Sequence, residues 1–286
     1  MAETELFCSI AGIRLRIRAY GAVDWTLLAD YAVNPGKWDQ DYEIVCAEQL
    51  EEDPGDRICT QGDFWISIHD ETRLRYIGAI TWGVDGAYLR ICRCGRETQL
   101  QFRRSNLIHM IPGKYLLRGL ELEHLLTVHS GFLLHASYIE WQGRAILFTA
   151  PSETGKSTQA RLWCDHAGAE LVNGDRAAVR IMDGAVYACG TPFSGSSPVR
   201  RNVTRPLAAI VYLSQAPENT ITRLKGVRAF RRVWEGCTVN TWDREDVEKA
   251  TKTVSEVVSR IPVHHLACTP DIRAVELLKH TMEVEK

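Results

Sequence analysis

The sequence has no excess of charge of either sign: 34 lysines and arginines stand against 36 aspartates and glutamates, a formal net charge of −2. That balance excludes the broad basic surface with which a protein neutralises nucleic-acid phosphates. It has no apolar run near the roughly twenty residues needed to span a bilayer. Its first residues, Met1-Ala2-Glu3-Thr4-Glu5, are acidic and lack the apolar core of a signal peptide. The expectation is a cytoplasmic protein that engages neither membrane nor nucleic acid. No paired C-x-x-C, H-E-x-x-H or G-x-S-x-G occurs, which removes the common zinc-cluster, zinc-protease and serine-hydrolase patterns. There is no internal repeat and no low-complexity linker.

What is present is ordinary globular material. The chain has 286 residues, 45% of them hydrophobic, enough for one large or two modest domains. The nine cysteines are an odd and scattered set. Cys8, Cys46 and Cys189 stand among apolar neighbours and read as reduced thiols acting as small hydrophobes. Cys92-Arg93-Cys94 is the one close pair; on a strand its thiols would share a face, which is a weak metal signal.

Residues 1–130 read as a strand-rich domain. Ile13-Arg14-Leu15-Arg16-Ile17-Arg18 alternates apolar and basic residues with a period of two, the mark of a half-buried strand. Residues 64–69 and 74–82 look similar, and 87–92 follows the turn signal Val84-Asp85-Gly86. Residues 34–61, with Asn34-Pro35-Gly36 and an acidic run at 51–56, read as loop. The strand arginines, interleaved with acids, read as solvated outer faces of sheets. Leucines at helical spacing predict one helix from Tyr115 to Val128.

Residues 131–286 read as strands and helices in mixed order, so the chain as a whole is α/β (α+β). Strands are expected at 132–139, 144–149, 169–173, 177–182, 185–187, 206–213 and 262–268, and helices near 227–236, 244–260 and 270–280. Between them lies a small, polar loop, Gly190 to Pro198.

The most informative stretch is Ala150-Pro151-Ser152-Glu153-Thr154-Gly155-Lys156-Ser157-Thr158, an A-x-x-x-x-G-K-S-T phosphate-binding loop of the Walker A type. An apolar strand leads in and a helical pattern leads out, which is the context the motif requires. Backbone N–H groups of such a loop wrap phosphate oxygens, and the helix N-terminus adds partial positive charge. Residues 152–158 would therefore cradle the nucleotide. Lys156 would reach the β and γ phosphates, and the Ser157 hydroxyl would ligate Mg²⁺. Ala150 stands where glycine is commoner. The Glu153 side chain must point to solvent if it is not to repel phosphate.

Phosphoryl transfer from ATP needs a metal, a base and positive charge on the moving group. Asp175, at a strand end one helix beyond the loop, is the expected second metal partner. Arg176, Arg200, Arg201 and Arg205 are candidates for the positive charge; Arg200 and Arg201 follow the 190–198 loop, which could close over substrate. His135, on the strand neighbouring the loop's own, could orient an acceptor or contact phosphate. His264-His265 and Asp165-His166 read as ordinary surface or cap positions.

Three segments together resemble the HPr kinase/phosphorylase-like kinases, whose phosphate-binding domain is related to ATP-dependent phosphoenolpyruvate carboxykinase. They are Leu133-Leu134-His135-Ala136-Ser137, the loop 150–158, and Asn173-Gly174-Asp175-Arg176; the likeness spans residues 131–278. It implies a P-loop domain with a mixed sheet, and a kinase that moves the γ-phosphoryl of ATP to a hydroxyl on a peptide, protein or small molecule. Asp175 matches the second aspartate of the family's pair, which supplies a metal contact and the base; Gly174 replaces the first. Thr158 stands where HPr kinases carry glutamate, which argues against HPr as the acceptor. The long carboxykinases' oxaloacetate and metal motifs are missing, which argues against that activity. Relatives in this class often form homo-oligomers. The first 130 residues, outside the resemblance, are expected to hold the acceptor or a partner. The alternative is an ATP-binding switch or assembly protein whose site no longer transfers phosphate, a reading that Gly174 and Glu153 favour.

Overall fold

A computed structural model describes residues 3–51, 56–69, 72–78, 87–106, 110–195 and 197–284. The turn expected at Val84-Asp85-Gly86, the strand end at 79–82, most of the acidic run and Ser196 lie outside the described residues. The chain divides into two compact units, Met1–Glu121 and Leu122–Lys286. It is a mixed α/β protein with two mixed sheets. Among the described residues no helix is long and apolar enough to cross a membrane.

The first unit is built on eight strands: β1 (Glu3–Ile10), β2 (Ile13–Tyr20), β3 (Gln40–Ala47), β4 (Asp56–Gln61), β5 (Phe64–His69), β6 (Thr72–Gly78), β7 (Ala87–Cys94) and β8 (Glu97–Arg103). They order as β1-β2-β3-β8-β7-β6-β5-β4, parallel where β3 meets β2 and β8 and antiparallel elsewhere. In β2 the period-two pattern holds. Ile13, Leu15, Ile17 and Ala19 are buried, while Arg16 and Arg18 pair with Glu5 and Asp41 at 2.6 and 3.0 Å.

The segment read as loop, 34–61, in fact contains β3 and β4. Asp41-Tyr42-Glu43-Ile44 alternates over too short a span to stand out beside Asn34-Pro35-Gly36. Its strand character comes from lying between β2 and β8.

The strand arginines are a second correction. Arg75, Arg90 and Arg93 are buried rather than solvated. Arg73, Arg75 and Arg93 converge on the carboxylate of Glu121 at 3.2, 3.0 and 2.8 Å, and Arg90 reaches Glu51 at 2.8 Å. Burial by itself would raise the Glu121 carboxyl; the three guanidiniums outweigh it and hold it well below the usual carboxylate range. Charges in such a place persist only when paired, and the partner lies 28 to 48 residues away in sequence, where no local pattern reveals it.

The same residue breaks the long predicted helix. Tyr115 to Val128 forms two short helices, α1 (Gly113–Gly119) and α2 (Leu122–Val128). Glu121 between them takes a left-handed φ of +47°, a conformation a helix interior does not allow. The break coincides with the division between the units.

The second unit holds β9 (Gly131–Trp141), β10 (Arg144–Thr149), α3 (Lys156–Ala167), β11 (Glu170–Asn173), β12 (Arg176–Met182), β13 (Ala185–Gly190), β14 (Thr204–Gln215), β15 (Thr220–Leu224), α4 (Gly226–Trp234), β16 (Cys237–Thr238), α5 (Arg244–Arg260), β17 (Val263–Cys268) and α6 (Ile272–Val284). Strand β10 runs parallel to β14, and β14 parallel to β17; the other pairings are antiparallel. Alternate residues of β10 feed two cores. Ala145 and Leu147 pack with residues of α4 and α5, while Ile146 and Phe148 pack with Trp163 of α3 and with α6. Burial on both faces is why this strand reads as an unbroken apolar run.

Strand β9 has partners on both edges: β12 over Gly131–His135 and then β11 on one, β16 and then β10 over Ala136–Trp141 on the other. His135 therefore sits where the neighbours change. The closing histidine pair also differs from expectation. His264 is fully buried on β17, and His265 lies 2.8 Å from the Ser214 hydroxyl. All nine cysteines are free thiols; burial pushes that of Cys8 up to about 12.

Candidate functional site

The loop between β10 and α3 has the backbone of an anion cradle. Glu153 and Gly155 take left-handed conformations, φ +63° and +115°. Alternating hand along a loop turns successive N–H groups inward on one concavity. A bare glycine suits the second position; at the first, Glu153 accepts the strain and its side chain is exposed. Ala150 needs no such conformation, since its φ is not positive. No side chain caps the N-terminus of α3, so the first-turn N–H groups remain available to an anion.

Lys156 is 7% exposed, and its Nζ donates to the carbonyls of Ala150 and Pro151 at 3.0 and 3.1 Å. Burial lowers its ammonium below the ordinary lysine value, while the Asp175 carboxylate works in the opposite direction. The lysine is thus held against its own loop, under the field of Asp175. Ser157 is exposed on the first turn of α3.

Sheet register brings His135 and Asp175 to this end of the unit. Arg176, the first residue of β12, pairs with His135 across the ladder, and the Ala136 N–H donates to the Asp175 carbonyl at 3.0 Å. His135 Nδ1 lies 3.5 Å from one Asp175 oxygen and Arg176 Nε lies 3.6 Å from the other. Both distances exceed a normal hydrogen bond, so these are charge contacts rather than hydrogen bonds. Burial lowers the His135 imidazole, Lys156 adds to the effect, and Asp175 opposes it.

Asn173 locks the turn that presents Asp175. Its carbonyl oxygen accepts from the N–H groups of Asp175 and Arg176 at 2.8 and 2.9 Å. Its Nδ2 donates to the carbonyls of Thr191 and Phe193 at 2.9 and 2.8 Å. The loop after β13 is thereby fastened beside Asp175, and Arg176 lies over the Phe193 ring at 5.2 Å. A Cβ placed on Gly174 would come within 2.8 Å of the Ser197 Cβ. The space beside Gly174 is therefore filled by the loop. Gly174→Asp is expected to destabilise the protein by about 1–3 kcal/mol through overpacking, read as a lowered thermal midpoint. An unchanged midpoint would mean the loop moves aside freely.

The arginines separate by partner. Arg201 is bound to Glu170 at 2.5 Å and Arg205 to Glu140 at 2.8 Å. Arg200 bridges to Asn173 through the backbone, and its guanidinium lies 3.4 Å from the Pro198 carbonyl. Two cavities flank the loop. One, of about 500 Å³, is lined by His135, Ser152, Arg176, Tyr212, Arg232 and Cys237. The other, of about 390 Å³, is lined by Thr154, Thr158, Gln159, Gln215, Cys268 and Thr269 among others. Arg200 lines neither.

Arg232 was missed in the sequence. It stands over the Tyr212 ring at 4.5 Å and pairs with Glu235 at 3.0 Å. In the sequence it is one of several basic residues along α4; the backbone bond from the His135 N–H to the Gly236 carbonyl, 2.8 Å, and the pairing of β16 with β9 show that this helix ends at the site.

No protein-family model matches the chain, and no curated protein matches it. Among solved structures it is similar to the Hpr(Ser) kinase/phosphatase from Coxiella burnetii, at 12% identity and a TM-score of 0.32, over 54% of this chain and 99% of that one. A score of that size assigns neither fold family nor activity.

Proposed function

We propose that the second unit binds a nucleoside triphosphate at residues 150–158 and transfers its γ-phosphoryl group to a hydroxyl, in the manner of the HPr kinase-like enzymes its motifs resemble. The observation that carries this reading is the grouping of Lys156, His135 and Asp175 around a loop whose backbone is already turned to receive an anion. Phosphate oxygens would take the place of the two carbonyls that now hold Lys156.

The oxygen donors Ser157 and Asp175 suit a hard cation, and the Asp175 oxygens, whose contacts to His135 and Arg176 are longer than hydrogen bonds, support that fit. Mg²⁺ held there would neutralise charge between the β and γ phosphates. The acceptor hydroxyl attacks the γ-phosphorus, the bond to the bridging oxygen breaks, and the hydroxyl proton passes to the Asp175 carboxylate. His135 steadies that carboxylate. Arg176 and Arg232 line the larger cavity and Arg200 does not, which supports the first two as the groups that would meet charge building on the transferring group. Arg232→Ala is expected to slow transfer about tenfold or more with ATP affinity little changed, as measured by initial rates and titration calorimetry.

The test is incubation with γ-labelled ATP, Mg²⁺ and a lysate of the source cells, comparing wild type with Lys156→Ala. Label on a discrete peptide, protein or metabolite with wild type alone would support the kinase. Failure of wild type to bind Mg-ATP would sink it. The second reading, a nucleotide-binding switch without transfer, is favoured by one observation: Gly174 brings no carboxylate beside Asp175, and Ser197 fills the space where its Cβ would stand. Binding without label transfer would select it.

A further inference from the structure

The phosphate-binding loop separates two cavities of different chemistry. The groups proposed for transfer face the larger one. The smaller lies against the first turn of α3, at the ends of β14 and β17. Strands β10, β14 and β17 run parallel, so their C-terminal ends open on a common crevice, the usual ligand position in such sheets. A triphosphate seated on the loop with its γ end toward Asp175 would direct its nucleoside end to this pocket.

Gln159 is the unusual residue there. It is 2% exposed, its Nε2 donates to Cys268 Sγ at 3.4 Å, and its Oε1 is buried without a hydrogen-bond partner among the described residues. Buried amide oxygens are nearly always paired. Gln159 and Cys268 both line the pocket, so the amide stands at its wall.

Resting on the reading of residues 150–158 as a phosphate-binding loop, we propose that this pocket takes the nucleobase, and that Gln159 Oε1 accepts a hydrogen bond from the 6-amino group of adenine. A 6-oxo purine presents an oxygen at that place, which would set two acceptors against each other and leave Gln159 unpaired. The protein would therefore select ATP over ITP and GTP.

Titration calorimetry with Mg-ATP, Mg-ITP and Mg-tripolyphosphate tests this on wild type, Gln159→Leu and Ala216→Trp. Wild type is expected to prefer ATP to ITP about tenfold, the worth of one net hydrogen bond. That ratio should fall to about one in Gln159→Leu. Ala216→Trp, which fills the pocket from its rim, should weaken ATP about tenfold or more and spare tripolyphosphate; it serves should Gln159→Leu fail to fold. Tripolyphosphate binding with no preference between ATP and ITP overturns the nucleobase assignment alone, as does a preference that survives in Gln159→Leu. If neither ATP nor tripolyphosphate binds wild type, the phosphate-loop reading falls and takes this one with it.

Discussion

Lys156→Ala should lose Mg-ATP binding by about a hundredfold or more while the fold persists. The ammonium makes two charge-assisted hydrogen bonds to its own loop, at 3.0 and 3.1 Å, and would trade both for phosphate oxygens. Bonds of that kind contribute about 1.5–3 kcal/mol each, and every 1.4 kcal/mol or so is a factor of ten in affinity. The fold should survive because the loop belongs to neither core cluster beyond Ala150; Trp163, Phe148 and Ile146 hold β10 and α3 together without the lysine. Ala150 and Pro151, whose carbonyls lose the ammonium, both line the larger cavity. Calorimetric titration with Mg-ATP and a thermal melt of the apo protein measure the two halves separately. Unchanged affinity would remove the loop from nucleotide binding.

Asp175→Asn should cut phosphoryl transfer by about a hundredfold to ten-thousandfold, the range for removal of a general base. The substitution keeps the shape of the side chain, which packs so closely on Gly195 that a Cβ there would lie 3.1–3.2 Å from it. It removes the charge that His135 and Arg176 face. Nucleotide binding without metal should stay near wild type, since the loop and Lys156 are untouched. His135→Gln should fall by about tenfold only, because it steadies the carboxylate rather than taking the proton. Single-turnover label transfer on the three proteins would check the order. Full activity in Asp175→Asn would show that the base is another group.

How much of this was readable beforehand follows the reach of each interaction. The bounds of β10, Arg144–Thr149, match the sequence expectation, because an apolar run ended by a phosphate-loop motif is a local signal. Gln142-Gly143 and Asp183-Gly184 likewise take left-handed φ values, at glycine-containing pairs that are local turn signals. Expectations failed where a partner lay far along the chain. One helix was expected across Glu121, whose conformation answers to three arginines on β6 and β7. Those arginines looked solvated because alternation reports which face of a strand a residue takes, not what covers that face. Strand β15 was passed over for the same reason; its five residues, mostly exposed, become a strand by pairing with β17.

The sequence by itself determined the loop, its strand and helix, and the residues within it, since all of these depend on neighbours a few positions away. Tertiary structure alone decided which charges gather around that loop. It set Arg232 at the site and tied Arg201 and Arg205 to Glu170 and Glu140. It filled the space beside Gly174 with Ser197 and buried Gln159 at the wall of the smaller cavity. Strand register and loop docking bring together residues tens of positions apart, and no periodicity in the chain encodes which of them will meet.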